Sequence, residues 1–168
     1  ARHRTLFGEL GLPRRNALDA WMMRLEHLLA DARRCSGDFD WQAEVLAIGE
    51  LSSSTLGSMY LNALGLTTHW LDSREYLQAE ALPNQSPWGR WLSASVRVRH
   101  DPDIAAELAA RGDVFIAQGF IARSGDGATA VLGRGGSDTS AAYFGALPTV
   151  SPPRTVIRAA SQASAMPS

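Results

Sequence analysis

The sequence predicts an α/β fold built on a largely parallel central sheet. Short apolar runs with strand character alternate with longer stretches at helical spacing, the order that a parallel sheet with helical crossovers requires. A glycine-rich turn, LGRGGSDTSAAYFGA at residues 132–146, follows a strand and opens a small-residue helix, as the ligand loops of open α/β sheets do. At 168 residues the chain amounts to one domain and can bury roughly 70% of its unfolded surface.

Each element has its own warrant. Leu18, Trp21, Met22, Leu25, Leu28, Leu29 and Ala32 recur at helical spacing opposite Asp19, Arg24, Glu26, Asp31 and Arg33, so residues 13–34 read as an amphipathic helix. Asp38 or Asp40 caps a second helix, which runs to residue 64 and stops at Gly65. Residues 67–71 form a short strand leading into Asp72-Ser73-Arg74, and PNQSPWG reads as a loop. Residues 93–98 alternate like a strand, 101–111 read as a helix and 114–118 as a buried strand. A hairpin follows, with Ser124-Gly125-Asp126-Gly127 as its turn. Ser137 and Asp138 are good caps for the helix after the glycines.

Composition excludes several classes of function. A net charge of -1 gives no reason to expect nucleic acid, and no apolar run approaches the ~20 residues of a membrane span, so a soluble protein is expected. The single Cys35 cannot close an internal disulfide, which fits a reducing cytoplasm, and it reads as an ordinary helix-end residue. All 16 basic residues are arginine, so a Walker A phosphate loop is excluded for want of its lysine. His3, His27, His69 and His100 have no metal-ligand spacing with one another or with Cys35, so no metal site of protein ligands is expected.

The GRGGSD turn carries the chemistry. Gly135 and Gly136 permit a sharp turn and a close approach, the helix start offers amides, and Arg134 adds a cation, a combination suited to a carboxylate or phosphate. A tight strand-to-helix turn with no ligand reads equally well from composition. A dinucleotide fingerprint does not, because no glycine stands three residues after Gly135 and no acidic residue follows Asp138. Glu50 sits after Gly49 among Leu46, Ile48 and Leu51, an apolar setting in which full solvation is not expected. Ser52, Ser53 and Ser54 read as helix surface or close packing, Asp72 and Arg74 as a strand-end ion pair or cleft lining, and Trp88 and Trp91 as packing under the loop or a cover for a pocket.

Two blocks, EVLAIGELSSSTLGSMYLNALGLTTHWLDSRE and GFIARSGDGATAVLGRGGSDTSAAYFGA, closely resemble the aspartate kinase family with its G-E-x-x-S segment and its GFI hairpin followed by LGRGGSD. The resemblance covers residues 39–147, and PNQSPW is most similar to the kinase region of bifunctional aspartate kinase/diaminopimelate decarboxylases. It implies an amino-acid-kinase-like sandwich and phosphoryl transfer from ATP, as its magnesium complex, to the side-chain carboxylate of L-aspartate, giving 4-phospho-L-aspartate for lysine, threonine and methionine synthesis. Carried over by position, Glu50 meets the substrate ammonium, Arg134 its carboxylate, Gly135, Gly136 and Ser137 the reacting carboxylate, and Asp138 orients the transfer. A homo-oligomer and a fused decarboxylase domain outside these residues are compatible with the resemblance.

The departures shape the remaining expectations. The family's K-F-G-G-T-S loop and its W-T-D motif are not among these residues, and the chain opens on Ala1, Arg2, His3 and Arg4, unlike a signal or transit peptide, so the fold is expected to be incomplete at both ends. Residues 1–147 then form a partial kinase catalytic domain. Residues 148–168, rich in Pro, Ser and Ala, form an irregular tail foreign to the fold, as from a shifted reading frame. A non-catalytic remnant of such a kinase, or another amino-acid kinase, is the alternative.

Overall fold

The computed structural model describes residues 2–12, 16–31, 37–97, 101–147 and 156–158. Three helices come first: α1 (Arg2–Glu9), α2 (Asn16–Ala30) and α3 (Phe39–Ala63). Then follow β1 (His69–Leu71), a single 3-10 turn (Ser73–Glu75), α4 (Pro87–Leu92), α5 (Pro102–Arg111), β2 (Phe115–Ala117), β3 (Ile121–Arg123), β4 (Thr129–Val131), α6 (Gly136–Gly145) and β5 (Val156–Arg158). Among the described residues no helix is long and apolar enough to cross a membrane.

The described strands divide into two small sheets. β1, β2 and β5 form a parallel sheet in the order β1-β2-β5, with His69 opposite Phe115 and Phe115 opposite Val156. β3 and β4 pair as the expected antiparallel hairpin, closed by the turn at residues 124–127. The parallel pairing fits the expected sheet, but it spans three strands and leaves the hairpin apart.

Helix α3 lies against both sheets because its middle is built of small residues. Ser52, Ser54 and Ser58 are buried, and a Cβ on Gly57 would stand in ordinary van der Waals contact with Ile116 of β2, 3.5 Å away. Ala43, Ala47 and Leu51 pack on Ile121 and Val131 of the hairpin, while Ile48 meets Met22 and Leu28 of α2. A further core gathers Leu71, Leu77, Ala122, Leu132, Tyr143 and Phe144 between the hairpin and α6.

Several expectations need correcting. Leu29 of α2 is 59% exposed, so the buried stripe runs through Leu18, Met22 and Leu28. PNQSPWG at residues 83–89, read as loop, instead opens the helix Pro87–Leu92: Ser86 accepts from the Gly89 amide at 3.0 Å and Pro87 begins the helix, where its missing N–H costs nothing. Of residues 93–98 the described ones, 93–97, make only isolated bridges, Ala94 to Leu132 and Val96 to Ala79, because the two positions pair with different neighbours. Most of the expected irregular tail lies outside the described residues, but Val156–Arg158 within it forms β5. The described part of the expected first helix is α2, and Cys35 and His100 lie outside the described residues.

Candidate functional site

The GRGGSD turn begins where β4 ends. Leu132 N–H donates to Phe120 C=O at 2.7 Å, and the chain then turns through Gly133 and Arg134. Gly135, not Ser137 or Asp138, takes the capping position of α6, with φ of 78°, a left-handed conformation that glycine adopts without strain. Ser137 and Asp138 therefore fall inside the first turn, where a carboxylate is favoured by the helix dipole. Gly136 is buried and its N–H donates to Gly133 C=O at 2.9 Å, so that amide is engaged within the turn. The first α-helical bond runs from Thr139 N–H to Gly135 C=O at 2.9 Å, leaving the amides ahead of it at the positive end of the helix.

Neighbouring segments close on this turn. A Cβ on Gly119 would lie 2.9 Å from Ser137 Oγ, so only glycine lets the loop between β2 and β3 pass this near to the start of α6. Phe120 next to it has φ of 72°, a strained conformation for a bulky residue, held by its N–H to Ser140 Oγ at 3.2 Å. An open cleft of about 490 Å3 results. Trp88, Leu92, Phe120 and Leu132 give it an apolar wall; Arg134, Ser137 and Asp138 give it a polar one.

Two polar groups in the cleft stand without partners among the described residues. Among the described residues nothing pairs with the exposed Arg134 guanidinium or hydrogen-bonds the half-buried Ser137 hydroxyl. Asp138 is exposed beside them. Glu50 is half-buried on α3 and is not among the residues lining the cleft. One turn beyond it, Ser53 meets His3 of α1 at 3.0 Å. The sequence-predicted residues Arg134, Gly135, Gly136, Ser137 and Asp138 thus share one cleft, while Glu50 stands apart from its lining.

Behind the site lies a polar network that the sequence reading missed. Gln118, 1% exposed, donates through Nε2 to Ser54 Oγ at 2.8 Å and to Leu71 C=O at 2.9 Å. Its Oε1 accepts from Ser73 N–H at 2.8 Å, and its carbonyl accepts from Ser73 Oγ at 2.5 Å. Trp70 Nε1 also donates to Ser54 Oγ, at 2.9 Å. A glutamine directly after the apolar strand FIA was the available signal, since a buried amide needs several partners. The two buried serines of the triple-serine stretch differ: Ser54 belongs to the network, whereas Ser52 Oγ is buried without a hydrogen-bond partner.

The expected strand-end ion pair is present. Arg74 donates from Nη2 to Asp72 Oδ2 at 2.6 Å and from Nη1 to Thr129 Oγ1 at 3.0 Å, and neither Asp72 nor Arg74 lines the cleft. The two tryptophans part company: Trp91 packs into the core, whereas Trp88 stands at the cleft.

A model of the amino acid kinase family matches residues 8–148. The chain is 40% identical over 112 residues to the bifunctional aspartokinase/homoserine dehydrogenase 2 of Escherichia coli strain K12, covering 65% of this chain and 13% of that protein. It is 35% identical over 153 residues to an aspartokinase of Chlamydia trachomatis, covering 87% of this chain and 31% of that one. Among solved structures it is similar to Escherichia coli aspartokinase III in complex with aspartate and ADP, with a TM-score of 0.62, 28% identity, and coverage of 79% of this chain and 29% of that one. The chain therefore spans less than a third of the length of these relatives.

Proposed function

The chain belongs to the amino acid kinase family, and we propose that it carries the amino-acid-binding part of an aspartate kinase, which transfers the γ-phosphoryl group of ATP to the side-chain carboxylate of L-aspartate. The observation that carries this reading is the pair of groups Arg134 and Ser137, unpartnered among the described residues, in a cleft built on the LGRGGSD turn. Its support from comparison is the likeness to aspartokinases, one of which holds aspartate and ADP.

The roles follow from chemistry. Arg134 presents a planar fork suited to a carboxylate, and in a ligand-filled cleft a charge-assisted, two-point grip fixes the acid. The Ser137 hydroxyl and amide supply further donors to the reacting carboxylate, Gly135 and Gly136 let the backbone approach it, and Asp138 orients the transfer. One carboxylate oxygen forms a bond to the γ-phosphorus while the bond from that phosphorus to the ADP oxygen breaks. Positioning and charge neutralisation supply most of the rate in such a reaction, and magnesium, arriving with ATP as its co-substrate complex, carries part of the charge. Glu50 takes the substrate ammonium in this reading. Since it stands outside the cleft lining, the ammonium has to reach towards α3, and Glu50→Gln tests that role by its effect on aspartate affinity. The same reading puts the protein in the cytoplasm, in lysine, threonine and methionine synthesis, and is compatible with a homo-oligomer and with a fused decarboxylase domain.

The test is an assay with magnesium-ATP and L-aspartate in hydroxylamine, which traps the acyl phosphate as a hydroxamate. Hydroxamate from aspartate, lost in Arg134→Ala, supports the reading; turnover of glutamate or N-acetylglutamate in preference to aspartate overturns the substrate. The second reading, that these 168 residues in isolation bind aspartate without transferring phosphate, is favoured by their lack of any lysine. Aspartate binding without hydroxamate would establish it.

A further inference from the structure

We propose that Trp88 is a substrate-contacting residue whose indole closes over the ligand held at Arg134 and the start of α6; the inference rests on the reading of this cleft as an aspartate site. Helix α4 is short and firmly seated. Trp91 packs against both neighbouring cores and carries the Arg90 guanidinium 4.6 Å above its ring, while Arg90 pairs with Asp126 of the hairpin turn at 2.6 Å. At the helix's end, Ala94 N–H donates to Val131 C=O at 3.0 Å, tying this segment to the strand that leads into the GRGGSD turn.

Trp88 and Leu92 stand four residues apart and so share one face of α4. Both line the cleft, but they do different things there. Leu92 packs against the cluster of Leu51, Ile121 and Val131, which ties it to the core. Trp88, one turn nearer the start of the helix, keeps 54% of its surface exposed at the cleft. Other large exposed side chains, such as Met23 and Leu64, do not line this cleft.

The physical need for such a cover is plain. Arg134 is exposed, and an ion pair formed in open water is weak because the solvent screens it. An indole laid over the ligand excludes water from one side, lowers the local dielectric and strengthens the contact with the guanidinium. Tryptophan suits this place because it buries a large rigid area with few torsions to fix.

The test titrates the full chain with L-aspartate by calorimetry and, in parallel, by tryptophan emission. Aspartate is expected to alter the emission of the wild type, and that change is expected to vanish in Trp88→Phe while the binding heat persists. Trp88→Ala is expected to weaken binding about five-fold, in line with the worth of an aromatic contact, at an unchanged melting temperature. An emission change that survives in Trp88→Phe, or a Trp88→Ala affinity equal to the wild type, overturns the assignment while leaving the aspartate site standing. Absence of aspartate heat from the wild type overturns the reading of the cleft, and this inference with it.

Discussion

Around Gln118 each arm of the side-chain amide has a partner, with Ser54, Leu71 and Ser73 closing the network between α3, β1 and β2. One residue further on, Gly119 abuts Ser137, and there the Ser137 hydroxyl and the Arg134 guanidinium face a cleft with no protein partner among the described residues. The two regions are neighbours along the chain but follow opposite rules. A buried group without a hydrogen bond lowers stability, so the network is satisfied; an exposed group left unpaired loses little, and it keeps its donors for a ligand. Substitutions in the first region should therefore appear as changes in folding, and in the second as changes in binding.

The largest effect is expected from Gln118→Leu. Removing the amide strands Ser73 N–H and Leu71 C=O in the interior, a loss of about 3 kcal/mol, which for a chain of this size lowers the melting temperature by about 6 to 12 °C. Thermal denaturation measures it, and a shift under 2 °C would break the contrast between the two regions. Next comes Arg134→Ala, expected to weaken aspartate binding by about 2 kcal/mol, roughly thirty-fold, while the melting temperature stays within about 2 °C. Ser137→Ala sharpens the same point at smaller scale: about 1 kcal/mol of affinity, near five-fold, from calorimetric titration.

The smallest effect concerns Asp126. The Ser124 hydroxyl, which donates to its carboxylate, holds this group below the ordinary aspartate value, with further help from the Ala128 amide and Arg90. A lowered folded value means that the carboxylate's contribution is present above its unfolded value near about 4 and is lost as the pH falls through the folded one. Asp126→Asn should thus lower the urea midpoint slightly at neutral pH, with the difference shrinking below about pH 4. A difference that grows on acidification would contradict the hydrogen bond's role.

Local signals made some elements legible. Asp101 before Pro102 announces α5, and in the structure Asp101 Oδ1 accepts from Asp103 N–H at 3.0 Å and from Ile104 N–H at 3.3 Å. Ser124 and Gly127 mark the hairpin turn, where Gly127 N–H donates to Ser124 C=O at 2.9 Å. Ser86-Pro87 held the same information for α4, but the density of turn-forming residues around it hid the cap. The network escaped because Gln118 meets Ser54, Leu71 and Ser73 from 45 to 64 positions away, and no local pattern reports such a contact. The helix cap falls two positions before Ser137 and three before Asp138 for a similar reason: both are better caps in isolation, but the left-handed turn at Gly135 takes the position first. Of the candidate site, the contiguous residues of the turn were legible, whereas the distance between Glu50 and the cleft lining depends on how α3 packs.

The most direct test of the division between a satisfied network and an open cleft is calorimetric titration of the wild-type chain, Arg134→Ala and Gln118→Leu with L-aspartate below their melting temperatures. The wild type is expected to bind, Gln118→Leu to retain most of that affinity once folded, and Arg134→Ala to lose about thirty-fold. Equal affinity in the wild type and Arg134→Ala, or no aspartate binding by the wild type, would contradict that division.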